Sequence, residues 1–178
     1  RDSVRLAERY AVALDCKALH CLAGVTPTGV ERSVLRKTYV DNLKFAADAL
    51  SQSGTTLLIE PINTRDIPSY FLDGTAMAAD IIESVDAANL RMQFDIYHMQ
   101  IMQGDIITSI ARYLPLIGHI QIADNPGRGE PGSGEINFPF LFKAIDALGY
   151  KGWIGCEYRP RTSTHDSLAW FREFRAAG

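Results

Sequence analysis

The sequence has little that would suit it to a disulfide scaffold, a membrane or a polyanion. It holds three cysteines in 178 residues, and an odd, sparse set argues against a disulfide framework and favours a reducing cytosol. The net charge of -3 and the sequence pI near 5.8 give no global electrostatic case for nucleic acid or an anionic membrane. The longest apolar runs fall far short of the ~20 residues that span a bilayer. We therefore predict a cytoplasmic protein without membrane or nucleic-acid partners.

A strand before the first helix is also missing. Apolar residues recur at helical spacing over residues 1–14, which predicts an amphipathic helix. No recognisable signal peptide opens the chain. An α/β chain that begins inside a helix suggests that an N-terminal part is absent.

The remaining sequence alternates strands and helices. Composition, with 47% hydrophobic and 22% charged residues, is that of one globular domain, over residues 1–178. Five apolar strands are predicted at 18–24, 55–60, 91–96, 119–123 and 153–158, and the helices that follow them at 30–51, 74–85, 104–113, 139–148 and 164–176. This order predicts a parallel sheet covered by helices, either doubly wound or a (β/α)8 barrel. Since a full barrel takes about 250 residues, a barrel would lack about three units here.

Each of the last four strands carries one polar residue near its carboxyl end: Glu60, Asp95, Gln121 and Glu157. Buried strands of parallel sheets are otherwise apolar, and active sites lie at the carboxyl edge of the strands. Side chains alternate between the two faces of a strand, and one register directs all four to the same face. Independent helix caps would have no reason to share position and face. We expect the four side chains to converge at the mouth of a barrel.

Three carboxylates packed together would repel one another and raise their pKa values. A divalent cation resolves this repulsion, and an all-oxygen set with the Gln121 amide favours Mg²⁺ or Mn²⁺ over Zn²⁺. The expected metal ligands are therefore Glu60, Asp95, Gln121 and Glu157.

Four further residues are candidates for substrate binding: His98, Asn63, His119 and Arg128. His98, three residues after Asp95 in DIYH, would hydrogen-bond a substrate oxygen at the barrel mouth, and a solvated loop histidine is the alternative. Asn63 in EPIN would orient Glu60 or contact substrate, and His119 lies one layer below Gln121.

Arg128 belongs to a loop rich in glycine and proline that is expected to be a mobile cover over the substrate. Its guanidinium would bind a substrate carboxylate in a bidentate fork, a role for which Arg159 and Arg161 are rivals. His20 and His165 receive little weight as functional residues.

Two other site types are excluded by context. GRGEPG at 127–132 matches a dinucleotide fingerprint by letter, but that motif opens a helix directly after a strand and this one does not. No nucleotide cofactor is expected. GSG at 132–134 is not a nucleophile elbow, and no serine or cysteine has an evident histidine partner.

Four strings, LLIEPIN, QFDIYHMQ, HIQIADNPGRGEPGSGEINF and GWIGCEYRP, resemble the hydroxypyruvate isomerase family of xylose-isomerase-like TIM barrels. The resemblance covers most of the chain from about residue 18 onward. It implies that Glu60 and Glu157 are proton donor and acceptor, and that the metal set is the one named above. It also implies that the chain corresponds to strands four to eight of the barrel, the C-terminal two-thirds.

The implied reaction interconverts hydroxypyruvate and tartronate semialdehyde through an enediolate, with a small 2-oxo acid as the substrate. Alternatives left open are 2-oxo-tetronate isomerase, which shares the motifs, a sugar 3-epimerase, in which histidine usually stands at the position of Gln121, and an inactive barrel fragment. The endonuclease branch of the superfamily relies on a histidine-rich zinc cluster and a basic face, whereas this chain is acidic with four histidines. A homo-oligomer is also left open.

Overall fold

The sheet is parallel and its strands follow one another in chain order. The computed structural model describes the backbone of residues 1–176 and the side chains as far as Arg172. Its sheet has the order β1-β2-β3-β4-β5, with β1 (Ala18–His20), β2 (Thr56–Ile59), β3 (Leu90–Asp95), β4 (Ile117–Ile122) and β5 (Ile154–Cys156). A doubly wound sheet reverses its strand order at a switch point, whereas a barrel keeps it. The sheet is therefore a curled half-barrel, which confirms the predicted TIM-barrel class.

Seven α-helices accompany the strands over residues 1–176: α1 (Asp2–Ala13), α2 (Arg32–Ser51), α3 (Thr75–Val85), α4 (Ile96–Met102), α5 (Ile106–Tyr113), α6 (Phe138–Ala147) and α7 (Ala169–Ala176). Two 3₁₀ turns lie at Leu114–Leu116 and Asp166–Leu168. The final helix predicted at 164–176 thus begins as a 3₁₀ turn and becomes α-helical at Ala169. In residues 1–176 no helix combines the length and apolarity needed to cross a bilayer.

Helix α4, which carries His98, lies between the predicted strand at 91–96 and the predicted helix at 104–113, where no helix was predicted. The Asp95 side chain accepts a hydrogen bond from the Tyr97 N–H at 2.8 Å and caps the helix. Residues 96–99 are all buried, so the segment has no apolar face that alternates with a polar one. A helix without that period gives no amphipathic signal in a sequence.

The core between the sheet and its outer helices fixes the strand ends. Helix α3 buries Ala78, Ile81, Ile82 and Val85, the i, i+3, i+4, i+7 spacing of one helical face. These side chains share one hydrophobic cluster with Ile59 of β2 and Phe94 of β3, which are fully buried. This packing fixes the strands relative to the helices, so the residues at the carboxyl ends of the strands lie at one edge of the sheet.

Candidate active site

The carboxyl edge of the sheet brings together the polar residues predicted to converge there. Glu60 follows β2 and Glu157 follows β5, while Asp95 ends β3 beside Gln121 of β4 in register. Gln93 Nε2 donates to Gln121 Oε1 at 2.6 Å, so these two side chains share the inner face.

Glu60 is a buried carboxylate with one unpaired oxygen in the described part of the chain. It is 4% exposed, and its Oε1 is buried without a hydrogen-bond partner in the described part of the chain. Its Oε2 lies 3.4 Å from His20 Nε2. Burial, followed by repulsion from the Asp95 carboxylate, raises the pKa of Glu60 to about 8. In the metal-free chain this environment favours the protonated form of Glu60 near neutral pH.

The two oxygens of Asp95 have different contacts. Oδ1 caps α4, whereas Oδ2 faces Arg128 Nη2 at 3.3 Å and His98 Nε2 at 3.6 Å. Burial raises the pKa of Asp95 to about 6, even though the Arg128 charge opposes that shift. One oxygen thus fixes the helix, and the other is available to the site.

Arg128 bridges two carboxylates at the mouth. Its Nη2 lies 3.2 Å from Glu157 Oε2, and its Nε donates to the Glu157 carbonyl oxygen at 3.3 Å. The guanidinium carbon also lies 5.2 Å from the centre of the Tyr97 ring, a cation–π contact. The Glu157 side chain is 54% exposed, so it faces solvent where Glu60 does not.

The loop that carries Arg128 is tied down by one buried carboxylate, Asp124. Asp124 Oδ2 accepts from the N–H groups of Gly132 at 3.0 Å and Gly134 at 2.7 Å, and Oδ1 accepts from Ile136 N–H at 3.1 Å. Beyond β5, Arg161 donates from its side chain to the Ser133 carbonyl and from its backbone to Glu130 Oε2. Arg161 is thus committed to the loop, whereas Arg128 reaches the site.

His119 and Asn63 lie close to the site through different neighbours. A Cβ built on Gly155 would come within 2.8 Å of His119 Nε2, so only glycine leaves His119 its place on the inner face. Burial lowers the pKa of His119. Asn63 is fully buried and its Nδ2 lies 2.6 Å from His98 Nδ1, so it orients His98.

His20 is the site residue that the sequence reasoning passed over. It ends β1 and pairs in register with Leu58, two residues before Glu60. Burial lowers the pKa of His20, and the Glu157 carboxylate opposes that shift. Because His20 also contacts Glu60, it interacts with both glutamates. The predicted strand at 18–24 extends past His20, whereas β1 ends at His20, so the strand-end rule could find it only with the observed bounds.

A divalent cation fits this donor set. Ligand atoms of Glu60, Asp95 and His98 all lie within 4.8 Å of one another, and the Glu60 Oε1 atom has no other partner in the described residues. Carboxylate oxygens in a site of low polarity are suited to hard cations. The tightest cluster contains His98, whereas Gln121 contacts Gln93 and Glu157 contacts Arg128.

Comparison with known families agrees with this architecture. The family model described as "Xylose isomerase-like TIM barrel" matches residues 1–174. The chain belongs to the xylose isomerase-like TIM barrel family. A solved structure of this family, titled "AP endonuclease, family 2" from Brucella melitensis, superimposes with a TM-score of 0.94 at 43% identity, covering 97% of this chain and 67% of that one.

Two curated relatives in this family are isomerases. The chain is 49% identical to hydroxypyruvate isomerase of Escherichia coli strain K12, over 98% of this chain and 68% of the relative. It is 48% identical to 2-oxo-tetronate isomerase of Cupriavidus necator, over 98% and 67%. The chain therefore belongs to an isomerase group of the family and spans about two thirds of these relatives' length.

Proposed function

We propose that this protein interconverts an α-hydroxy ketone and an α-hydroxy aldehyde that both carry a carboxylate, with hydroxypyruvate and tartronate semialdehyde as the pair. The proposal rests on the similarity to isomerases and on one observation of the site. Two glutamates, Glu60 and Glu157, follow two strands of one sheet at the same edge, with Asp95 near both. A 2-oxo acid held between them would have a carboxyl group on each side.

The reaction moves one proton between neighbouring carbons. In the forward direction Glu157 takes a proton from the hydroxymethyl carbon of hydroxypyruvate, which leaves an enediolate. Glu60 gives a proton to the former carbonyl carbon, and a hydroxyl proton passes from one oxygen to the other. Glu157 is suited to the first step because its carboxylate is half exposed and ion-paired. Glu60 is suited to the second because its buried environment favours the protonated form.

Arg128 lies against Asp95 and Glu157, and His98 lies against Asp95, so positively charged and hydrogen-bonding groups are present beside the carboxylates. In this proposal Arg128 binds the substrate carboxylate, and His98 and His119 contact its hydroxyl and carbonyl oxygens. Asn63 acts with His98. Mg²⁺ or Mn²⁺, held by Glu60, Asp95, Gln121 and Glu157, would polarise the substrate carbonyl and lower the pKa of the adjacent C–H.

A second candidate is 2-oxo-tetronate isomerisation. The two curated isomerases match at 49% and 48% identity, so similarity does not separate a three-carbon from a four-carbon acid. The same residues would serve both, because both substrates present a carboxylate beside a carbonyl. We further propose that the chain is one domain, acts in the cytoplasm on this small acid and binds no nucleic acid.

A substrate panel tests the proposal. The purified chain is assayed with hydroxypyruvate, 2-oxo-tetronates and free ketoses, after chelation and with Mg²⁺ or Mn²⁺ restored, beside the Escherichia coli relative as the positive control. We expect turnover of a 2-oxo acid that the cation increases. Turnover of ketoses alone would favour a sugar 3-epimerase, and no turnover of any substrate would identify an inactive barrel fragment.

A further inference from the structure

Hydrogen bonds that join Asn63, Asp66 and Tyr97 lie beside the Nδ1 atom of His98. We infer that Asn63 and Asp66 hold His98 in the neutral tautomer that carries its proton on Nε2, so that His98 donates to a ligand oxygen and does not bind a metal. The tautomer follows from the hydrogen bonds alone, whereas its value for catalysis rests on the proposed function.

The orientation of the Asn63 amide is fixed by Asp66. The Asp66 N–H donates to Asn63 Oδ1 at 2.7 Å, so that atom is the carbonyl oxygen. The amide nitrogen Nδ2 then faces Asp66 Oδ2 at 3.2 Å and His98 Nδ1 at 2.6 Å. A flipped amide would set its NH₂ against the Asp66 N–H, two donors in contact, and its oxygen against the Asp66 carboxylate.

Two donors therefore converge on one ring nitrogen. The backbone N–H of Asn63 points at His98 Nδ1 from 3.4 Å, in addition to the side-chain Nδ2. A backbone N–H cannot accept, so Nδ1 must offer its lone pair. This excludes both the imidazolium and the Nδ1–H tautomer, and it leaves the proton on Nε2.

Tyr97, the neighbour of His98 in α4, also holds the Asp66 carboxylate. The Tyr97 hydroxyl donates to Asp66 Oδ2 at 2.8 Å, and Tyr97 is itself 5% exposed. Asp66 thus accepts from Asn63 and Tyr97 at once, which holds the carboxylate and, through it, the Asn63 amide. Residues that contact a ligating or catalytic group from behind typically fix its tautomer in this way.

The tautomer decides whether His98 can bind a metal together with Glu60 and Asp95. A metal-bound imidazole nitrogen must carry a lone pair, whereas Nε2 carries the proton and Nδ1 is occupied by Asn63. His98 is therefore excluded as a ligand despite its distance, and the carboxylate oxygens remain. The Nε2–H faces Asp95 Oδ2 at 3.6 Å, beyond hydrogen-bond distance, so it remains available to donate to an oxygen of a ligand.

Nitrogen NMR of the ring tests the tautomer directly and needs no substrate. Long-range proton–nitrogen spectra of the ¹⁵N-histidine-labelled, metal-free chain are recorded at neutral pH, with His98→Asn to identify the signals among four histidines. We expect Nδ1 to resonate as an unprotonated nitrogen and Nε2 as a protonated one. A protonated Nδ1 in the unaltered chain would overturn the inference.

The variant Asn63→Asp replaces the near donor, at 2.6 Å, by a carboxylate of equal size. The backbone N–H that remains is a weak donor at 3.4 Å, so the carboxylate should draw a proton onto Nδ1. Asn137→Asp makes the same chemical change at the exposed cap of α6, where the side chain accepts from Phe140 N–H, and should leave the His98 signals unchanged. Unchanged signals in a folded Asn63→Asp protein would also overturn the inference. In an active enzyme this variant should lower kcat by about 10- to 100-fold with little change in KM. A turnover failure of the unaltered chain counts against the proposed function alone.

Discussion

The residues of the site differ most in their solvent exposure. Glu60 and Asp95 are almost fully buried, whereas the Glu157 side chain is 54% exposed. Arg128 partly compensates the buried charge by its contacts with Asp95 and Glu157. The result is a carboxylate pair of unequal environment, the condition under which one carboxyl group can supply a proton and another can remove one.

The buried carboxyl groups predict how stability depends on pH in the metal-free chain. The pKa of Glu60 rises from its ordinary value of 4.5 to about 8 in the fold, so its contribution is present below about pH 4.5 and is lost as pH rises through 8. Glu60→Gln removes this loss, and we expect the variant to be more stable than the unaltered chain at pH 8 by about a few kcal/mol. Denaturant unfolding between pH 5 and 8 measures the difference.

The exposed residue Glu83 of α3 provides the control. Glu83→Gln makes the same change on the surface and should leave the pH profile of the free energy of unfolding unchanged. Parallel profiles for Glu60→Gln and the unaltered chain would show that burial of Glu60 has no such cost.

At the scale of elements, the sequence predicts what periodicity and strand ends encode. All five strands and the polar residues at four of their ends followed from apolar runs and their alternation. Helix α4 did not, because residues 96–99 are all buried and its start depends on a cap from Asp95. The Asn63–His98 contact was not predicted either. It joins residues 35 positions apart, and the local sequence pattern does not show how their two segments pack.

The loop from Asp124 to Ile136 is predicted to be a mobile cover, and the buried Asp124 carboxylate accepts hydrogen bonds from three of its backbone N–H groups. Asp124→Asn replaces one acceptor oxygen by a donor, so at least one backbone N–H loses its partner. We expect a loss of about 1–3 kcal/mol in the free energy of unfolding and faster tryptic cleavage after Arg128.

The surface variant Asp41→Asn breaks an exposed ion pair with Lys37, which is worth well under 1 kcal/mol. It should change neither the unfolding free energy nor the cleavage rate noticeably. If Asp124→Asn behaves like Asp41→Asn, the buried carboxylate does not hold the loop.

For the whole molecule, the open sheet is the dominant feature. Within the described residues β1 and β5 each pair with one neighbour, and large apolar side chains are exposed near both: Leu14 at 76%, Leu22 at 62% and Trp153 at 88%. Unpaired strand edges beside apolar surface are surfaces on which another chain can add. The chain covers 68% and 67% of the two curated isomerases, and further barrel strands would cover these edges in a longer protein. For the 178-residue polypeptide on its own, we propose that a second copy takes their place.

Sedimentation of the 178-residue chain over a range of concentrations tests this association. We expect self-association that the double variant Leu14→Ser with Leu22→Ser reduces, because it removes apolar surface beside β1. Trp153→Ser reports separately on the β5 side. A monomer at every concentration would contradict the proposal, while the fold and the site would be unaffected.

We expect Glu157 to remove a proton and Glu60 to return one at the neighbouring carbon. Proton NMR of hydroxypyruvate in D₂O follows both steps at once, with a sample lacking enzyme to correct for spontaneous exchange. These two roles predict that the unaltered chain exchanges the hydroxymethyl protons and forms the aldehyde. Glu60→Gln should exchange the protons without forming the aldehyde, and Glu157→Gln should do neither. Exchange that persists in Glu157→Gln, or aldehyde formed by Glu60→Gln at the unaltered rate, would contradict these roles.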